Sequence, residues 1–232
     1  MEISIFDVIG PVMVGPSSSH TAGAAKLARI ARLIAEQPFH HVDFFLHGSF
    51  AQTYKGHGTD RALVAGALGL RENDERLADA FALAQAQGIT YAFKEIELDN
   101  SHENSVKICF HLDDGTISEI TGSSVGGGQI LITGINGFET SFTAASSTLI
   151  LRQEDKKGVI SEIAGLLAEN DINIGVMKLS RRAKGDIACC IIETDSPLSD
   201  ALVQRLAALP HIISVKAVNP PAEDGQEENT DV

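Results

Sequence analysis

Four short segments carry the residues that could do chemistry, because each is rich in Gly, Ser, Thr, Asn or His. They are GPSSSHT (15–21), HGS to KGHGTD (47–60), NSHENS (100–105) and TGSSVGGGQ (121–129). Each falls between segments patterned as helices or strands, and loops in such positions often carry function. Imidazoles transfer protons near neutral pH, and free N–H groups hold anions. Together the segments predict a pocket for a small carboxylate-bearing molecule.

The first segment places Ser17, Ser18, Ser19, His20 and Thr21 directly before an amphipathic, alanine-rich run. A single Ser or Thr commonly caps a helix, so a plain cap with a flexible loop is one interpretation. Free N–H groups and the positive end of a helix dipole also favour an anion. Five consecutive hydroxyl and imidazole groups exceed what a cap requires, which favours a ligand pocket.

His57 stands between two glycines, in KGHGTD. The glycines let backbone and ligand approach each other closely, and an imidazole suits proton transfer. A surface or structural role is the alternative for a lone histidine. His47 ends a hydrophobic strand, which favours a packing or supporting role.

The last two segments carry weaker signals. His102 and Asn104 lie in a turn before a strand, where Asn104 could simply form an Asx turn. The glycine run near Ser124 supplies unhindered N–H donors, but it lacks the Lys-Ser/Thr ending of a phosphate loop and the spacing of a dinucleotide fingerprint. The four other histidines are interpreted as surface or strand residues: His40, His41, His111 and His211.

Composition excludes several function classes. The net charge of −13, without a basic cluster, argues against nucleic acid or an anionic membrane as a partner. No apolar run approaches the ~18 residues of a membrane span, and the N-terminus has no basic region typical of a signal peptide. The three cysteines have no Cys-x-x-Cys spacing, so we expect no metal site made by this chain's cysteines. These features predict a reduced, cytoplasmic protein.

Two zones position these residues. Residues 1–145 are predicted to mix helices (22–36, 59–70, 74–88) with strands (40–49, 89–98, 105–112), and Asn136-Gly137 signals a type I′ hairpin. Residues 148–218 are patterned β-α-β-β-α-β, the ferredoxin-like unit with two helices on one face of a four-stranded antiparallel sheet. The second helix of this unit is expected to begin with Pro197 in its first turn. The acidic tail 219–232 has the composition of a disordered segment.

The four segments, in this order, resemble the β chain of bacterial iron–sulfur-dependent L-serine dehydratases (L-serine ammonia-lyases). The motifs are GPSSSHTAGA, HGSFAQTYKGHGTD, SHENS and SSVGGGQ, and the resemblance covers residues 1–218. The C-terminal unit resembles an ACT domain, an amino-acid-responsive module. The N-terminal zone resembles the domain shared with the regulatory part of some phosphoglycerate dehydrogenases. The resemblance therefore implies an α+β protein with a mixed α/β domain followed by an ACT domain.

The family's enzyme converts L-serine to pyruvate and ammonia. The resemblance implies a [4Fe–4S] cluster held by cysteines of a separate α chain, or of a fused second domain, which this sequence lacks. It also implies that the α chain is a partner and that the ACT domain could form homodimers. An iron would act as a Lewis acid on the serine hydroxyl while a base removes the Cα proton.

The motif match implies roles for individual residues. His57 would be the base, and His102 and Asn104 would lie near substrate or cluster, although Glu103 and Ser105 replace the family's frequent Pro and Thr. His20 would orient substrate or cluster. Gly158, at a strand-to-helix turn, is either part of an effector site or a plain structural turn. The residues implied to bind substrate are Ser17, Ser18, Ser19, His20, Thr21, Gly58, Ser124, Gly126, Gly127 and Gly128.

Two alternatives remain at this point. A non-catalytic amino-acid-sensing module would also use residues 148–218 and anion-binding loops, but it would not need a base directed at Cα. The regulatory part of a serine-biosynthetic dehydrogenase is disfavoured because no dinucleotide fingerprint precedes it, although a split version of that enzyme stays open.

Overall fold

Two β-sheets organise residues 17–220, the part of the chain described by a computed structural model. Gly15, Pro16 and nearly all of the acidic tail predicted for 219–232 lie outside the described residues. The first sheet has six strands and the second has four.

The six-stranded sheet has the order β2-β1-β3-β4-β5-β6. Only β1 and β2 pair in parallel, so the sheet is mixed, as expected. Positive φ at both Asn136 and Gly137 forms the tight β5–β6 turn predicted from that dipeptide. The strands are β1 (Phe39–Leu46), β2 (Thr90–Glu95), β3 (Ser105–Leu112), β4 (Ile117–Gly126), β5 (Gln129–Ile135) and β6 (Phe138–Phe142).

The helices of this unit share one hydrophobic core with the sheet. They are a π-helical turn (Ser18–Gly23), α1 (Ala24–Ala35), α2 (Gly48–Thr53), α3 (Thr59–Ala67), a 3₁₀ turn (Glu75–Asp79) and α4 (Ala80–Ala86). The alanines of α1 let α3 approach closely, because Gly66 of α3 lies directly against the backbone of Ala25.

Three local predictions were wrong in detail. The strand predicted over 40–49 is shorter, because β1 stops at Leu46 and the helix α2 begins at Gly48. The segment 121–126, expected as a loop, belongs to β4, since Ser123 and Ser124 pair with β5 despite their polarity. Pro197 precedes the last helix rather than lying in its first turn, because Ser199 caps that helix by accepting a hydrogen bond from the Leu202 N–H.

The second sheet has the order β10-β7-β9-β8 and is antiparallel throughout. Leu149 and Leu151 of β7 face the core under the two helices, whereas Ile150 faces the core of the N-terminal unit. Because alternate residues of a strand point to opposite faces, burial on both faces explains its continuous apolar run. The elements are β7 (Ser147–Glu154), α5 (Val159–Glu169), β8 (Ile174–Arg181), β9 (Ile187–Thr194), α6 (Asp200–Ala207) and β10 (Ile212–Val218).

Lys216 of β10 joins the two units. Its Nζ donates to the carbonyl oxygens of Ile34 (2.6 Å) and Ala35 (3.1 Å) at the C-terminal end of α1. A cation at this end complements the helix dipole and satisfies carbonyls that lack a helical partner. Burial lowers the pKa of Lys216, an effect that Glu36 partly offsets.

We expect Lys216→Met to lower the free energy of unfolding by about 1–3 kcal/mol, because it leaves these two carbonyls without their donor. Urea unfolding of the full chain measures the change. Lys178→Met is the matched control: Lys178 is exposed and donates to the Ser141 carbonyl (2.6 Å), so its loss should cost less than about 0.5 kcal/mol. Equal losses in the two variants would contradict this role of Lys216.

Candidate active site

One edge of the six-stranded sheet collects all four polar segments. Leu46, at the end of β1, pairs with Val106 near the start of β3, and Ser105 pairs with Ser123 near the end of β4. The residues after β1, before β3 and after β4 therefore emerge at the same edge. Backbone hydrogen bonds tie these segments together, since Glu103 O accepts from Ser49 N (2.7 Å) and Asn104 O accepts from Ser124 N (2.9 Å).

His20 is the centre of the hydrogen bonds at this edge. Its backbone N–H donates to Ser17 Oγ (3.2 Å), so Ser17 caps the π-helical turn, as the plain-cap interpretation expected. Its ring does more: Nε2 lies 3.1 Å from Ser49 Oγ, and Nδ1 lies 3.5 Å from Ser17 Oγ. The ring also meets the His57 ring edge-on, with centroids 4.9 Å apart. His20 thus links the first two segments.

His57 lies exposed in a turn, on a cleft of about 300 Å³. Its backbone carbonyl accepts from Thr21 Oγ1 (3.4 Å), so the turn is anchored to the π-helical segment. Gly58 has a φ of 71°, which favours glycine, and lets the chain turn from His57 directly into α3. Lys55, Asp60 and Arg61 also line the cleft, beside Leu77. The arrangement presents an imidazole and charged groups to one small molecule.

The pKa of His20 is lowered, mainly by burial and also by the neighbouring His57. The His20 imidazole therefore becomes protonated at a higher pH in the unfolded chain than in the folded chain. The contribution of His20 to stability is complete above about pH 6.5 and is lost as the pH falls toward the folded pKa.

His20→Gln should accordingly flatten the fall in unfolding free energy between about pH 7 and pH 5. Urea unfolding at the two pH values measures the change in unfolding free energy. His40→Gln is the control, because it removes an exposed imidazole that is paired with Asp113. A wild-type slope in His20→Gln would contradict the assignment.

Three buried polar atoms at this edge make no hydrogen bond within residues 17–220. They are Thr59 Oγ1, Asn104 Oδ1 and Ser124 Oγ, and Thr59 and Ser124 are fully buried. An unpaired buried polar atom costs about 1–3 kcal/mol, so such atoms point to a missing partner. Gly23 allows Ser124 to lie here, because a Cβ on Gly23 would collide with Ser124 Oγ.

Other residues predicted for the site lie outside the cleft. His102 is exposed, and its Nδ1 accepts from the Asn104 N–H (3.1 Å), as a local turn would require. Gly126 ends β4, and Gly127 and Gly128 form the turn to β5; all three have positive φ. Ser18 and Ser19 are half-buried within the π-helical turn.

Sequence reasoning did not select Ser49 and Thr59 as site residues. Ser49 lies in the HGS motif and contacts the His20 ring. Thr59 lies in the KGHGTD motif, and its buried hydroxyl has no hydrogen-bond partner within residues 17–220. Their signal was a hydroxyl beside a glycine in a polar segment. That signal does not show which way the side chain points.

The chain's three cysteines do not fit an iron–sulfur cluster. Cys109 lies in β3, while Cys189 and Cys190 are adjacent in β9 and therefore point to opposite faces. A cluster needs several thiolates around one point. Burial instead raises the thiol pKa to about 11 for Cys109 and Cys189 and to about 12 for Cys190.

Gly158 lies in the turn between β7 and α5, with a φ of 93° and open space where a Cβ would stand. The turn is braced by Asp155, whose carboxylate accepts from Arg181 Nη1 (2.7 Å) and from the Gly185 N–H (2.9 Å). The geometry therefore leaves room beside Gly158 at a hydrogen-bonded strand-to-helix turn.

Comparisons with known proteins match both halves of the chain. The family model for the serine dehydratase beta chain matches residues 4–86, and that for the ACT domain matches 147–211. The L-serine dehydratase beta chain of Peptoniphilus asaccharolyticus is 42% identical over 218 residues, covering 94% of this chain and 98% of that protein. This chain belongs to the L-serine dehydratase beta-chain family. A probable L-serine dehydratase beta chain of Bacillus subtilis is 41% identical over 215 residues, covering 93% and 97%.

The predicted relation of this beta chain to phosphoglycerate dehydrogenases is also confirmed. The D-3-phosphoglycerate dehydrogenase of Bacillus subtilis is 27% identical over 199 residues, which cover 85% of this chain and 38% of that protein. The predicted fold class, a mixed α/β domain followed by an ACT domain, is confirmed. Within residues 17–220, no helix has the length and apolarity needed to cross a bilayer.

Proposed function

We propose that this chain is the substrate-binding and proton-transferring subunit of an L-serine ammonia-lyase. The observation that carries the proposal is the meeting of four polar segments at one sheet edge, with His57 facing a cleft. The named beta-chain relatives support L-serine as the substrate.

The reaction is a β-elimination. The Cα proton is removed and the hydroxyl group leaves Cβ as water, which gives aminoacrylate. Its imine tautomer is then hydrolysed to pyruvate and ammonia. The Cα proton is weakly acidic, so the base must be held accurately and the negative charge developing beside the carboxylate must be stabilised.

This chain's residues supply the base and the carboxylate site in the proposed reaction. His57 accepts the Cα proton, because it is an accessible imidazole on the cleft. His20 stays neutral near pH 7, since burial lowers its pKa, and it holds the His57 ring by edge-on contact. Lys55 and Arg61 line the cleft beside His57 and are candidates for holding the substrate carboxylate. The motif match implies that role for Ser124 and the glycines 126–128, which lie outside the cleft.

Leaving-group activation is assigned to a partner. Because the cysteines here do not fit a cluster, we assign the [4Fe–4S] group to an α chain. His102 and Asn104, in the turn before β3, would face that chain or the substrate.

The ACT domain gives the proposal a regulatory part. ACT domains respond to amino acids, and the open turn at Gly158 is the proposed effector position. Homodimerisation would use the edge strand β8, where Val176 and Leu179 are exposed.

Pyruvate release from L-serine, measured under strict anaerobiosis, tests the function. The full chain is assayed alone and mixed with the cysteine-bearing α chain. Activity only in the mixture, lost on exposure to air, is the expected result. Serine binding by this chain without activity in the mixture would instead support a non-catalytic amino-acid sensor, for which the ACT match is the favouring observation.

A further inference from the structure

A second cluster of ligand-type side chains lies on the opposite face of the six-stranded sheet from the helices. Val42, Phe44 and Leu46 of β1 point into the core, so His41 and Asp43, which flank Val42, point to the other face. His111 of β3 is the register partner of His41 and therefore lies on the same face.

The three side chains already approach the spacing of metal ligands. Their donor atoms all lie within 4.8 Å of one another. Asp43 Oδ2 is 2.9 Å from His111 Nε2, and Asp43 Oδ1 is 3.5 Å from His41 Nε2. Ligand atoms about 2 Å from a tetrahedral Zn²⁺ lie about 3.3 Å apart, so small side-chain rotations bring all three into range.

A supporting hydrogen bond directs one of the ligands. His41 Nδ1 lies 2.7 Å from Thr90 Oγ1 of β2, which leaves Nε2 facing Asp43. Metal-binding histidines commonly use the second ring nitrogen in this way, and the hydrogen bond fixes the tautomer and the ring plane. An ion-pair cluster that only neutralised the Asp43 carboxylate would not need this hydrogen bond between His41 and Thr90.

We propose that His41, Asp43 and His111 form a site for a divalent transition metal ion, with Zn²⁺ as the best-matched ion. Two imidazoles and one carboxylate are a donor set that Zn²⁺ uses with a fourth position open to water. The site is separate from the candidate active site, because six residues of strand, about 20 Å, separate His41 from His47.

Lys94 occupies the position of a competing cation. Its Nζ lies 2.9 Å from Asp43 Oδ1, and its side chain is 53% exposed, so it can swing away from the carboxylate. The competition makes a distinctive prediction, because removing this ammonium should tighten metal binding, whereas a mere ion-pair cluster would gain no affinity for metal.

The test is Zn²⁺ titration of the full chain, made without a histidine tag, by calorimetry, with Co²⁺ absorption reporting the ligand geometry. Wild type should bind one Zn²⁺, and His41→Ala and His111→Ala should each bind at least tenfold more weakly. Lys94→Met should bind more tightly, and Thr90→Val about tenfold more weakly. Zn²⁺ should also raise the wild-type melting temperature but not that of His111→Ala.

The matched control is the double variant His20→Ala, His57→Ala, which removes the imidazoles of the candidate active site and should keep wild-type Zn²⁺ affinity. Loss of binding in that control would move the ion to the other site and overturn the proposal. Absence of Zn²⁺ binding in both wild type and Lys94→Met would show an ion-pair cluster only. If His111→Ala fails to fold, the Zn²⁺ affinities of Lys94→Met and Thr90→Val test the proposal. Lys94→Met should bind Zn²⁺ more tightly than wild type and Thr90→Val more weakly, and equal affinities in the two variants would overturn it.

Discussion

His57→Ala is expected to lower turnover of L-serine by roughly 10²–10⁴-fold in the assembled enzyme, the usual span for losing a general base. The side chain is exposed on the cleft, so its removal should leave the fold intact. Since the imidazole acts on the Cα proton only during reaction, kcat should fall with little change in KM. Anaerobic pyruvate release with the α chain present measures both constants.

His40→Ala is the control for this experiment. His40 is also an exposed histidine, paired with Asp113, but it lies at the other end of β1. Its loss should leave turnover unchanged. A His57→Ala enzyme that keeps more than half of wild-type turnover would exclude His57 as the base. Deuterium at Cα adds a second readout, because a slowed proton transfer should increase the isotope effect on kcat.

Gly66→Ala is expected to destabilise the chain by about 2 kcal/mol or more, although glycine-to-alanine changes inside helices normally stabilise by about 1 kcal/mol. A Cβ at Gly66 would stand 2.1 Å from the Ala25 carbonyl oxygen and 2.9 Å from the Ala28 Cβ. Both atoms belong to the close contact between α3 and α1. The Ala25 carbonyl is part of the helix backbone and cannot rotate away as a side chain could, so α1 and α3 must move apart.

Gly165→Ala is expected to change the free energy of unfolding in the opposite direction. Gly165 lies within α5 and is exposed, and apart from its own helix backbone no atom of residues 17–220 lies within 4 Å of the position of a Cβ. Alanine there should stabilise by about 0.5–1 kcal/mol. Urea unfolding of both variants measures the pair. Destabilisation by Gly165→Ala, or stabilisation by Gly66→Ala, would contradict the described helix packing.

Local patterns determined most of the fold. The C-terminal β-α-β-β-α-β order follows from apolar periodicity and turn residues, and Asn136-Gly137 specified its hairpin, because short-range backbone preferences decide these elements. The same local reasoning failed at 121–126. There the polar residues of β4 are buried by pairing with β3 and β5, and no local pattern reports such pairing.

Sequence reasoning predicted which segments form the candidate site but not which of their residues meet. Composition alone indicated which four segments carry polar and imidazole groups, because loop chemistry is visible in residue types. Which members meet depended on tertiary structure. Pairing of β3 with β4 brings Asn104 to Ser124, and packing of the π-helical turn against β4 and α3 brings His20 to Ser49. His102, chosen from the same pattern, makes a local turn bond instead.

The sequence by itself therefore determined the family, the order of elements and the residues able to transfer a proton or hold an anion. Tertiary structure alone decided that the hydroxyls of Thr59 and Ser124 are buried without a hydrogen-bond partner among residues 17–220, and that His41, Asp43 and His111 converge. His41 and His111 were interpreted as surface or strand residues because neither lies in a glycine-rich polar segment, and 70 residues separate them. Strand register, a long-range property, brings them to one face and gives them a shared carboxylate.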